Sequence, residues 1–187
     1  MRLIVIACII LLIPLIYVIA TYNTLVALRN HIAEAWSNID TELKRRYDLI
    51  PNLVEAVKGY AKHERETMEE VIALRNLCAA DRGSVSHQEG TERQLVGAVQ
   101  KLLAVAEAYP ELKADTNFLE LQHELVNTED RIQAARRFYN GNVRDMRNQC
   151  ERFPSSIVAS LFNFRPLDFF DVEPAVREVP GINMAGK

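Results

Sequence analysis

Three small groups of residues in this 187-residue chain could do chemistry, and each falls short of what its chemistry requires. Glu120-Leu121-Gln122-His123 has the Glu-x-x-His spacing that sets a carboxylate and an imidazole one helical turn apart. Di-iron bundles use that pair twice, with two further inward carboxylates. None of His31, His63 and His87 has a glutamate three residues before it, so the pair stands alone. His63-Glu64 and His123-Glu124 begin like a zinc-protease motif and lack its second histidine. There is no glycine-rich phosphate loop and no Gly-x-Ser-x-Gly, and neither Cys78 nor Cys150 has an evident base beside it. The expectation is a protein without catalytic residues, metal or cofactor.

The remaining charged residues read as structure or surface. Lys44-Arg45-Arg46 is a short basic run. It suits a solvated helix face, contact with anionic headgroups, or salt bridges to acidic neighbours. Arg131, Arg136, Arg137, Arg144, Arg147 and Arg152 make a late helix basic, but Glu129, Asp130, Asp145 and Glu151 dilute it. No aromatic residues interleave with that face, so nucleic acid is not an expected partner. Net charge is −3, which likewise points to no polyanion. Asp40, Asn52, Lys58, Glu64, Glu124, Thr128, Glu129 and Arg136 fall on or beside apolar stripes. Charge on a stripe is costly unless it is paired. These residues are therefore candidates for an interhelical polar network that fixes register, or for a polar groove or subunit interface.

The elements that must hold these residues are helices. Leu25, Leu28, Ile32, Trp36, Ile39 and Leu43 recur at steps of three and four from Tyr22 to about Tyr47. Arg29, Asn30, Asn38 and Glu42 mark the opposite face. Asp48-Leu49-Ile50-Pro51 interrupts the pattern, and Asp48 is suited to capping a new helix. The stripe resumes at Val54, Val57, Ala61, Met68, Val71, Arg75 and Cys78 almost in phase, so a kinked continuous helix competes with a tight turn. Asp81–Gly90 reads as a loop. Thr91-Glu92-Arg93-Gln94 reads as a capping box that opens a third helix, burying Leu95, Val99, Leu102, Ala106 and Tyr109 and ending at Pro110. Asn117 is a candidate cap for a fourth helix of about 38 residues, whose stripe runs from Phe118 to Cys150 at a mean spacing near 3.5. Phe153-Pro154 closes it. The segment beyond crowds in Phe162, Phe164, Phe169 and Phe170, either docking on the bundle or touching lipid or a neighbour. Residues after Val172 read as a loose terminus.

Everything is organised around Leu3–Ala20, 18 residues without charge. As a helix they reach about 27 Å, close to the ~30 Å hydrocarbon core of a bilayer. Pro14 is tolerated in such a span. A cleaved signal peptide and a lipoprotein signal at Cys8 are both disfavoured by the flanking residues. Tyr22 marks an interface. The basic flanks of the span do not decide its orientation. Spacing of the three cysteines suggests no metal site, and leaves a Cys78–Cys150 bridge open.

Several stretches are similar to the LemA family of bacterial membrane proteins. They include Tyr22–Val26, Ala35–Asp40, Leu43–Val54, Val57–Glu64, Tyr109–Ala114 and Asn117-Phe118. Leu121-Gln122, Glu124-Leu125, Thr128-Glu129, Ile132, Ala135-Arg136, Tyr139-Asn140, Phe153–Ser155 and Phe169-Phe170 extend the resemblance to about residue 172. It implies an all-α fold: an N-terminal membrane helix followed by an antiparallel four-helix bundle with long helices. The residues themselves also allow a long kinked helical hairpin. The resemblance implies no catalytic residues and no cofactor, and the magnetosome membrane protein that belongs to the family implies membrane organisation.

The expected organisation is an anchor over 1–21, a helical bundle over 22–153 and an aromatic tail over 154–187. The expected partners are the bilayer and further copies of the chain, with another membrane protein as the second choice. Tyr22, Lys44, Arg45, Arg46, Phe162, Phe164, Phe169 and Phe170 are the candidate lipid or interface contacts. The expected location is the bacterial cytoplasmic membrane, crossed once, with the side of the bundle open.

Overall fold

The computed structural model describes residues 1–81 and 85–170, leaving aside the side chains of residues 3–10 and 86. The expected loose terminus after Val172, and the side chain of Cys8, lie outside the described residues. Six helices and no strand are present among them. Helix α1 runs unbroken over Arg2–Tyr60, so the apolar run and the first bundle helix are one shaft. Residues 11–20 are almost wholly uncovered, with Leu11, Ile13 and Ile16 each more than half exposed. From Thr21 onward α1 acquires a buried stripe of Leu25, Ile32, Ala35, Ile39 and Leu43.

Pro51 lies inside α1 and makes no turn. An interior proline costs about 3 kcal/mol, but Ile50, Leu53 and Val57 are fully buried on either side of it, and that packing holds the helix through. The chain reverses at Ala61–Glu64 instead, where the Ala61 N–H donates to Val57 O (2.8 Å) and the Glu64 N–H to Ala61 O (3.1 Å). Ala61 and Met68 are one heptad apart and both buried, so the reversal leaves the apolar phase intact. Of the two readings at Pro51 the continuous helix is the one formed, and the intact phase leaves the reversal at Ala61–Glu64 unmarked in the sequence pattern.

Helix α2 spans Arg65–Ala80 and α3 spans Val85–Ala106, so most of the expected loop over Asp81–Gly90 is helical. Thr91 sits inside α3 rather than capping it, its Oγ1 donating to Gln88 O (3.0 Å) and to Asp81 Oδ2 (3.2 Å). Gly90 is an exposed interior position, where glycine costs only about 1 kcal/mol of helix propensity. A short α4 covers Pro110–Lys113, with Pro110 in its first turn. Helix α5 spans Thr116–Glu151, 36 residues. Its cap is Asp115, not Asn117: Asp115 Oδ1 accepts from the Phe118 N–H at 2.9 Å. A further helix of seven residues, α6, covers Ser155–Leu161 within the segment read as tail.

The part of α1 beyond the apolar run and helices α2, α3 and α5 form the antiparallel bundle. α1 and α5 pair along their lengths: Arg46 meets Glu129 and Trp36 meets Tyr139, ten residues down one helix for ten up the other. α2 and α3 form a hairpin that packs on the far half of α1. The near half is covered differently. After α6 the chain runs back along α1 and α5 as an aromatic strap. Phe164 lies near Tyr22 (5.8 Å between ring centroids) and under Arg29, and Phe170 lies edge-on to Trp36 (5.4 Å). Cys78 and Cys150 are free thiols, so the bridge left open is not formed.

Candidate functional site

The best-defined polar site lies where α1, α3 and α5 meet. Arg46 and Tyr47 sit in phase with the α1 stripe, between Leu43 and Ile50, so they point inward. Glu92 sits in phase with Leu95, Val99 and Leu102 on α3. The side chains of Arg46 and Glu92 are both only 3% exposed. The Arg46 guanidinium donates from Nη2 to Glu92 and from Nη1 to Glu129 Oε1 (2.6 Å), and the Tyr47 hydroxyl donates to Glu92. Burial works against the Arg46 charge, but the Glu92 and Glu129 carboxylates outweigh it and hold its pKa above the ordinary value. Burial and the adjacent Glu92 carboxylate likewise push the Tyr47 phenol up. Cys78 borders the cluster, and burial followed by Glu92 pushes its thiol up to about 12.

Of the polar residues singled out on the stripes, the structure brings Glu129 into this cluster and leaves the rest apart. Asp40 pairs with Lys44 along its own helix (2.7 Å), and Lys58 with Glu55 (2.9 Å). Asn52 is exposed, and half-buried Glu64 precedes α2. Glu124 is exposed, its carbonyl accepting from Thr128 Oγ1 (2.8 Å). Arg136 is buried elsewhere, above the Phe170 ring (5.5 Å) and bonded to Gln133 Oε1 (3.2 Å). Of the candidate lipid or interface contacts, Lys44 and Arg45 are exposed, whereas Arg46 is turned inward. Phe170 is buried, Phe164 and Phe169 are half-buried, and Tyr22 and Phe162 stay partly exposed against each other at 4.7 Å.

Asn140 fastens the strap. Its Nδ2 donates to Phe170 O and its Oδ1 accepts from the Phe170 N–H, both at 2.9 Å, as a neighbouring strand would. The Tyr139 hydroxyl donates to Asp168 O (3.1 Å), and Arg147 lies over the Phe169 ring (4.6 Å). Phe170 thereby closes one end of a groove of about 370 Å³ between α3 and α5. Val96, Val99, Leu103, Val126, Arg46 and Glu92 are among the residues that line it, together with charges of both signs.

These arrangements hold charge in place more than they prepare it to react. Arg46, Glu92 and Tyr47 engage one another out of solvent, although the Arg46 Nε–H is buried without a hydrogen-bond partner among the described residues. A thiol with its pKa near 12 is scarcely a nucleophile at neutral pH. His87 and Thr91 both engage Asp81, at 2.8 and 3.2 Å. Glu120 and His123 are exposed on α5, and no group of three metal-ligating side chains occurs among the described residues.

Sequence reasoning missed Glu92 and Asn140. Glu92 was visible as a charged residue at a buried phase, three before Leu95 and seven before Val99; the capping-box reading masked it. Nothing local to Asn140 reveals its partner, which lies thirty residues on.

The model of the LemA family matches residues 35–184. Magnetosome protein MamQ 2 of Paramagnetospirillum magneticum is 24% identical over 179 residues, covering 82% of this chain and 66% of its own length. Magnetosome protein MamQ of Magnetospirillum gryphiswaldense is 22% identical over the same shares. Protein LemA of Metamycoplasma hominis is 27% identical over 153 residues, with 80% and 66% covered. The chain thus spans just under two thirds of the length of these curated relatives.

Proposed function

This chain belongs to the LemA family, and on that premise we propose that it is a non-enzymatic scaffold, anchored in the bacterial cytoplasmic membrane by one span and associating with copies of itself. The observation that carries the reading is the unbroken α1, 59 residues from its first apolar turn to the bundle tip. About 40 of those residues stand beyond the span, a shaft of roughly 60 Å. A helix without a hinge fixes the bundle relative to the bilayer, so a lateral contact between bundles becomes a constraint on the membrane. That use requires rigidity and no chemistry, which agrees with an interior whose charges engage one another. The relatives named as magnetosome proteins support a role in organising membrane, by analogy alone.

The α3–α5 groove is the surface we assign to a second copy. Its rim has exposed Arg93 and exposed Asp130, and a two-fold contact needs one patch bearing both signs of charge. Val126 on its wall is 53% exposed. The test is disulfide crosslinking of V126C full-length protein in native membranes, against the parent chain. A band at twice the chain mass is expected for V126C alone. Adducts with a different protein would replace the scaffold by an adaptor for another membrane protein. No adduct of either kind would remove the groove as an interface.

A further inference from the structure

We propose that α6 is a second membrane contact, a short helix lying in the interfacial layer of the leaflet on the bundle's side; this rests on the reading of Leu3–Ala20 as a span. Its depth follows from the pairing of α1 with α5. Glu129 lies opposite Arg46 and Tyr139 opposite Trp36, so the same register brings Glu151, the last residue of α5, opposite Thr24. That is four residues, about 6 Å, above the end of the apolar run at Ala20. The chain then turns and packs α6 against both α1 and α5. The Phe162 ring, just past α6, meets Tyr22 at 4.7 Å. Thr21 is buried, and Val18, inside the apolar run, packs against the core while its neighbours from residue 11 to 20 stay exposed. α6 is therefore held at the level where the span meets the headgroups.

Its two faces differ in the way an interfacial helix requires. Ser155, Val158 and Ala159 are buried against the bundle. Ile157 and Leu161, four residues apart on the other side, are 59% and 72% exposed, and the Phe153 ring just before the helix is 78% exposed. No charged residue occurs from 153 to 164, while Arg152 and Arg165, both exposed, bracket the stretch. Apolar side chains sunk about 5–10 Å into the headgroup boundary, with arginines reaching lipid phosphates, make a stable surface attachment. In water the same three side chains would be an exposed apolar stripe without a purpose. Because α6 also holds the start of the aromatic strap, lipid contact on its outer face supports the packing of Phe164 on α1. A bundle tethered at the shaft and again at α6 cannot swivel freely about its span.

The test places tryptophan at I157W and L161W, one at a time, in full-length protein reconstituted in vesicles, and measures quenching by lipids brominated along the acyl chain. I16W reports on the span. Native Trp36 stands roughly 24 Å beyond Ala20 and serves as the unquenched reference. The expected result is loss of emission at positions 157 and 161 approaching that at position 16. Quenching at 16 with none at 157 and 161 would refute the contact and leave the span intact. Blue-shifted emission at 157 and 161 without bromolipid quenching would also refute it, by showing protein rather than lipid on that face. Absence of quenching at position 16 as well would overturn span and contact together.

Discussion

Replacing Glu92 with alanine removes the buried carboxylate that both Arg46 and the Tyr47 hydroxyl use. Arg46 is 3% exposed and would be left with Glu129, whose side chain is 36% exposed and so partly screened by water. Breaking a buried ion pair from one side typically costs about 3–5 kcal/mol, because the remaining charge is stranded. For a chain of this size each kcal/mol lowers the melting temperature by about 2–4 °C, so E92A should lose roughly 6–20 °C. E129A removes the wetter partner and leaves the dry pair intact, so about 1 kcal/mol is expected. The double variant R46M/E92M puts apolar volume in place of the pair and should recover most of the loss. The assay is thermal unfolding followed by far-UV circular dichroism on full-length protein in mild detergent. Equal effects of E92A and E129A, or a double variant worse than E92A, would refute the claim that Arg46 and Glu92 form a buried ion pair with Glu129 as its wetter partner.

F170A empties a site that is 1% exposed between Trp36 and Arg136 and should cost about 3–5 kcal/mol in urea unfolding, whereas F153A, at an exposed ring, should leave the urea midpoint unmoved. Cys78 and Tyr47 both have raised pKa values, so the folded state keeps protons that the unfolded chain releases; the Cys78 contribution is complete below the unfolded thiol value of 9.0 and is lost as pH rises toward about 12, and the Tyr47 contribution declines only above its unfolded value of 10.0. Unfolding midpoints measured from pH 7.5 to 11 should therefore fall on the alkaline side, and C78A should lessen the fall; a flat profile would contradict the burial of both groups. N140A, which leaves both backbone groups of Phe170 without their partner, should speed amide hydrogen exchange at Phe170 while leaving exchange at Leu53 unchanged.

The fold was legible in the sequence because the apolar period is helical almost everywhere. Leu25 to Leu43 and Phe118 to Met146 state the two longest faces outright, and those faces pack on each other. What failed was punctuation. Pro51 reads either as a turn or as a kink in a continuous helix, and the burial of Ile50, Leu53 and Val57 around it overrides the local cost and decides for the helix. The true reversal after Tyr60 carries no proline and preserves the heptad between Ala61 and Met68, so no periodic signal marks it. The polar site was half legible. Glu129 is visible beside a stripe, and Arg46 lies at a buried phase, but its place in a Lys-Arg-Arg run draws attention outward. Pairings such as Asn140 with Phe170 depend on where the strap comes to lie, and no local pattern encodes that.

The central claim, a membrane-anchored bundle built to associate, is tested most directly by the mass of the full-length protein extracted from membranes in mild detergent, with the bound detergent subtracted. The account predicts a defined multiple of the 21.3 kDa chain that persists on dilution. A single species at the mass of one chain would contradict it.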